Sequence, residues 1–144
     1  MITINHLPLR VALDAIPIAT VTEACSEIGA FLSADSGRHV LHMIGIPHTE
    51  GLRIVVILAD DHANSVLFTS YVVGNGVIVP SLTTSHPQMH IFERDLWERH
   101  GVQYADHPWC KPVRYPMNSS HRKSIDDYPF FRLEGGESHE VGVG

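Results

Sequence analysis

The apolar positions along the chain change period twice, and each change predicts an element. Residues 1–18 mix apolar side chains with Pro8 and Pro17, and Leu9, Val11 and Leu13 alternate with Arg10, Ala12 and Asp14, which suits a short edge strand or an extended lead-in. From Thr20 the step lengthens to three and four. Val21, Ala24, Cys25, Ile28 and Leu32 fall on one face of a helix, Thr20 or Thr22 can cap it, Glu23 stands in its first turn, and residues 33–37 end it.

From Arg38 the period drops to two. Residues 38–46, 52–59 and 65–73 read as three strands joined by the turn-rich stretches 47–51 and 60–64, an antiparallel meander. In the first of these strands, Val40, His42, Ile44 and Ile46 are expected on one face, with Leu41, Met43 and Gly45 on the other. The run Arg53-Ile54-Val55-Val56-Ile57-Leu58 is apolar on both faces, which predicts the middle of the sheet. Gly74-Asn75-Gly76 is a turn, and Val77-Ile78-Val79 makes a brief fourth strand closed by Pro80.

A second helix is expected over residues 86–100, with Ser85 as its cap, Pro87 in its first turn and Gly101 as its left-handed terminator. Met89, Phe92 and Leu96 share the face that docks on the sheet, Glu93 and Trp97 form a neighbouring stripe, and Arg94 and Glu98 stand four apart where they can pair. Pro108, Pro112 and Pro116 rule out long regular structure after it. The fold class is therefore α/β in the α+β sense: a small, mainly antiparallel or mixed sheet of about four strands, helices packed on it, and an extended C-terminal tail. Residues 1–116 read as the domain and residues 117–144 as loop and linker.

Composition narrows the function classes. A chain of 144 residues with 44% apolar residues fits one domain with a real core. The formal charge of −6 and the scatter of the basic residues argue against nucleic acid as a partner. Cys25 and Cys110 are far apart and have no CxxC spacing, so they suggest neither a disulfide framework nor a thiolate metal site, and a reducing cytoplasm is the simple expectation. Nor is any apolar run near the ~20 residues of a membrane helix, so contact with a membrane is expected only through a complex.

Residues 85–116 concentrate the candidate chemistry. Taken alone, the charges of Glu93-Arg94-Asp95 and Glu98 describe a solvated helix face. His86 and His90, with Glu93 a turn further on, have a spacing that can offer three metal ligands on one helix face, although no HExxH or cysteine pair accompanies them. Ser85, Asp106 and His107 contain the residue types of a hydrolase triad but lack a nucleophile elbow. Cys110, beside Lys111 and near His107, is a candidate for a lowered thiol pKa.

Taken together, Pro80-Ser81, Glu93-Arg94-Asp95, Glu98, Gly101, His107-Pro108 and Lys111 resemble the pattern of the 30 kDa subunit family of respiratory NADH dehydrogenase (complex I). They equally resemble the equivalent domain of membrane-bound, formate-hydrogenlyase-type nickel-iron hydrogenases. Asp95 stands where that pattern has glutamate, and Arg99-His100 stand where it has a Leu-Phe-like pair. At the end of the chain, His139-Glu140-Val141-Gly142-Val143-Gly144 resembles the opening of a hydrogenase large-subunit domain, so the resemblance implies first a membrane-bound hydrogenase of the formate-hydrogenlyase type and, as the alternative, a free-standing NADH:quinone dehydrogenase 30 kDa subunit.

The resemblance implies an assembly domain without a catalytic, cofactor or metal site of its own. Its implied partners are a hydrogenase or dehydrogenase large subunit and the iron-sulfur subunits of a peripheral arm, and nickel-iron and iron-sulfur centres would sit elsewhere in the parent complex. The implied location is cytoplasmic, at the inner face of the cell membrane. On this reading Glu93, Arg94, Asp95, Trp97, Glu98, Gly101, His107, Pro108 and Trp109 form the subunit interface. The alternative is intramolecular, with Arg94 holding the following loop in place.

Overall fold

The computed structural model describes residues 1–4 and 10–114, and the expected tail lies outside them. Its centre is the predicted meander: β3 (Arg38–His48), β4 (Gly51–Asp60) and β5 (Ser65–Val73) pair antiparallel, with β4 in the middle. The outer side of β5 carries two short strands. β1 (Ile2–Ile4) runs antiparallel to its first half and β2 (Ile18–Ala19) parallel to its second half. The sheet thus has five strands in the order β1-β5-β4-β3, with β2 beside β1 on β5. The edge strand expected near residues 9–13 lies at Ile2–Ile4, and Leu13–Ala15 instead form a single 3₁₀ turn between two extended residues.

Both faces of the sheet are covered, which explains the doubly apolar β4. On one face Ile54, Val56, Leu58, Tyr71 and Val73 pack against Ala24, Cys25, Ile28 and Leu32 of α1 (Val21–Ala34) and against Met89 and Leu96. A capping box fixes the start of α1. The Thr20 hydroxyl accepts from the Glu23 N–H at 3.2 Å, and the Glu23 carboxylate accepts from the Thr20 N–H at 3.0 Å.

On the other face, Ile16 and Val11 lie over Val55 and Phe68. Arg53, only 7% exposed, holds this strap down by donating to the Ile16 carbonyl at 2.7 Å and to the Ser70 hydroxyl at 3.0 Å. Ser70 completes the clamp. Its hydroxyl and its N–H both donate to the Pro17 carbonyl.

β3 departs from strict alternation. A bulge between Val40 and His42 inserts Leu41, so Val40 and Met43 are both buried and Leu41 is exposed. The free side of β3 is also obstructed. The Gln88 side chain accepts from the Val40 N–H at 2.9 Å, Pro47 offers no N–H, and the chain that follows crosses close over Gly45. A Cβ on Gly45 would lie 2.8 Å from the His100 ring and 3.1 Å from Leu96 Cδ2, so a side chain at this position would make both side chains shift.

The expected fourth strand does not join the meander. β6 (Ile78–Pro80) pairs in parallel with β7 (Gln103–Ala105) as a separate two-stranded sheet, with Val79 buried and Ile78 61% exposed. Parallel partners require a crossover, and the crossover here is α2 (His90–His100). Ser85 does not cap this helix. Its hydroxyl donates to the Leu82 carbonyl at 3.4 Å, and the 3₁₀ turn Pro87–Met89 supplies the first turn instead, so α2 begins four residues later than expected. Gly101 ends it in the left-handed conformation, φ 76°, and its N–H donates to the Trp97 carbonyl.

Candidate functional site

The charged residues of α2 lie between two loops, residues 81–85 before the helix and residues 106–114 after β7, because the parallel crossover returns the chain to the side it left. Glu93 is 1% exposed and serves the first loop. One of its carboxylate oxygens accepts from the Leu82 N–H at 2.8 Å, and the other accepts from the Ser81 hydroxyl at 2.6 Å and the Thr83 hydroxyl at 2.7 Å. Three donors on one carboxylate complete its hydrogen bonding away from water.

His107 joins this cluster from the second loop. The Trp109 N–H donates to its Nδ1 at 3.1 Å, so the neutral ring carries its proton on Nε2. That nitrogen lies 3.4 Å from the Thr83 hydroxyl oxygen and 3.7 Å from Glu93 Oε2, and the side chains of His107 and Glu93 are each 2% accessible. A chain of imidazole, hydroxyl and carboxylate thus ties the two loops together through α2.

Arg94 serves the second loop alone. Its Nε donates to the Lys111 carbonyl at 2.6 Å and its Nη2 to the Pro112 carbonyl at 2.8 Å, while its guanidinium lies 4.5 Å from the centre of the Trp109 ring. Nη1 is 3.4 Å from His90 Nδ1. Glu98 takes up the next residues, accepting from the Val113 N–H at 3.1 Å and the Arg114 N–H at 3.0 Å. Asp95 pairs with Arg114 and lies 3.8 Å from Arg99.

The solvated helix face is therefore overturned. Glu93, Arg94 and Glu98 are each at most 7% exposed, because loop N–H, O–H and C=O groups replace the water they would otherwise bind. Of the other candidates, Trp97 is half-buried, Asp95 is partly covered, Gly101 ends the helix, and Pro108 and Trp109 are exposed. Thr83, Leu82 and Arg114 are participants the sequence did not single out. A polar SLTT loop directly before a helix carrying a buried acid was the available signal.

The rival chemistries find no arrangement here. Both oxygens of Glu93 are committed to the 81–83 loop, and no group of three His, Cys, Asp or Glu side chains among the described residues is placed to hold an ion. His107 faces Thr83 and Glu93, and Ser85 bonds the Leu82 carbonyl. The Cys110 thiol is raised, not lowered: burial pushes it up, Arg94 offsets part of that, and Glu93 adds to it. Cys25 is pushed up to about 11 by burial and then by Glu93. Near neutral pH a thiol reagent is expected to modify one cysteine, exposed Cys110, in the native chain and two once the chain is unfolded. Mass spectrometry of the labelled protein checks this, and rapid native modification of Cys25 would contradict the buried assignment.

Two likenesses to known proteins accompany this geometry. Residues 18–129 match the family model described as respiratory-chain NADH dehydrogenase, 30 Kd subunit, a span that runs past residue 116. The C/D subunit of NADH-quinone oxidoreductase from Shewanella oneidensis is 22% identical over 98 residues, which are 68% of this chain and 16% of that protein.

Proposed function

Since the chain belongs to the respiratory-chain NADH dehydrogenase 30 kDa subunit family, we propose that it is a docking domain of a complex I-like oxidoreductase, holding a large catalytic subunit beside iron-sulfur subunits without doing chemistry itself. One observation carries the reading beyond membership. The buried charged side chains of α2, Glu93, Arg94 and Glu98, are spent on loop backbone and hydroxyl groups, so these three shape a surface and are not presented to a substrate as acid or base. No helix among the described residues is long and apolar enough to cross a membrane, so attachment at the inner face of the cell membrane would come through the partners.

Two parent complexes have support. The hydrogenase reading rests on residues 139–144, which lie outside the described structure and resemble the opening of a hydrogenase large-subunit domain. The quinone-linked dehydrogenase reading rests on the similarity to the C/D subunit of NADH-quinone oxidoreductase. Affinity purification of the tagged chain from its source cells is expected to return oxidoreductase subunits in fixed ratio, with their identity deciding between the two. Recovery of the chain without any such subunit would refute the docking role.

A further inference from the structure

The loop after β7 separates into a buried frame and an exposed knuckle. His107 anchors one end in the Glu93 cluster, and Arg94 and Glu98 grip the other at Lys111, Pro112, Val113 and Arg114. Between these anchors Pro108, Trp109, Cys110 and Lys111 are all exposed. Trp109 is 52% exposed yet held in place, with its N–H on His107, its carbonyl accepting from the Lys111 N–H at 2.9 Å and its ring on the Arg94 guanidinium. The Lys111 ammonium lies 5.0 Å from the same ring, and no ion pair among the described residues includes it.

Resting on the docking role above, we propose that Trp109 and Lys111 are the contact pair of this domain, and that the partner surface they fit is a protein patch with an apolar wall for the indole and a carboxylate for the ammonium. A large aromatic fixed before binding loses little conformational freedom when it is covered, which is why rigid Trp residues dominate interface energetics. The ammonium beside it, in no ion pair among the described residues, selects the sign of the partner. Phosphate polyanions fit less well. The chain carries a formal charge of −6, and one exposed lysine over a buried arginine is no basic stripe. The assignment also divides the labour of the motif: Glu93, Arg94 and Glu98 build the knuckle, and Trp109 and Lys111 touch the partner.

The chain has two lysines, Lys111 and Lys123, which makes a zero-length carbodiimide crosslink between amine and carboxylate diagnostic. In the complex purified with the tagged full-length chain, Lys111 is expected to join an Asp or Glu of another protein in the complex. Lys111→Arg should abolish that crosslink while keeping the yield of complex. Trp109→Ala and Lys111→Glu should each lower the recovery of partner subunits at least about tenfold, with the variant chain unfolding at the wild-type midpoint. Wild-type recovery in both variants, or a crosslink through Lys123 alone, would overturn the assignment while leaving the docking role standing. Failure of the wild-type chain to recover any oxidoreductase subunit would instead remove the docking role and this contact with it.

Discussion

Replacing Glu93 with alanine is expected to lower the unfolding free energy by about 3–5 kcal/mol, as much as emptying a core position. The carboxylate is the shared acceptor for Leu82, Ser81 and Thr83, and the nearest anion to His107. Removing it strands the Leu82 N–H and leaves a void at a position only 1% exposed. Glu93→Gln tests the charge separately: its amide oxygen can keep the Leu82 N–H and its NH2 can donate to the Ser81 and Thr83 hydroxyls once these turn to accept, so it should lose less than alanine. Set against the ~5–15 kcal/mol total stability of a typical domain, the alanine variant should unfold at far lower denaturant. Urea unfolding followed by far-ultraviolet circular dichroism gives the number. A loss below about 1 kcal/mol would mean that the 81–83 loop is not held by this carboxylate.

Arg94→Ala is expected to cost less stability and more assembly. It removes two charge-assisted bonds, to the Lys111 and Pro112 carbonyls, and the plane beneath Trp109, together worth about 2–4 kcal/mol. The loop keeps its Glu98 and His107 anchors, so the chain folds, but Trp109 loses its fixed position. Yield of the parent complex on co-purification should fall several-fold, and hydrogen- or quinone-linked turnover with it. Arg94→Lys should rescue poorly, since an ammonium cannot reach two carbonyls and stack at once. Unchanged yield of complex from a folded Arg94→Ala chain would refute the role given to the clamp.

The sequence showed most of the sheet and little of its edges. Apolar runs in residues 38–73 disclosed β3, β4 and β5 because local alternation and short turns encode a meander directly. β6 is legible as a strand but its pairing is not, because its parallel partner, β7, lies beyond a whole helix, and no local pattern announces a pairing across that distance. The bulge at Leu41 escaped because one inserted residue shifts the parity of everything after it. In the site, the residue types of α2 were legible but their direction was not. Charge at Glu93, Arg94 and Glu98 looks the same in a string whether it meets water or a returning loop. What decides is the crossover, which brings residues 106–114 over the helix, and that is a property of the fold.

The obstructed edges of the sheet have a consequence for the life of the chain before it meets its partners. β5 is sheathed by β1 and β2, and β3 is interrupted by the Gln88 side chain at Val40, the Leu41 bulge and Pro47, so what the main sheet leaves open to a passing strand is confined to the stretch of β3 between the bulge and Pro47. A newly synthesised copy therefore offers its neighbours only a short register for strand pairing while it waits for the rest of its complex, which disfavours fibril growth.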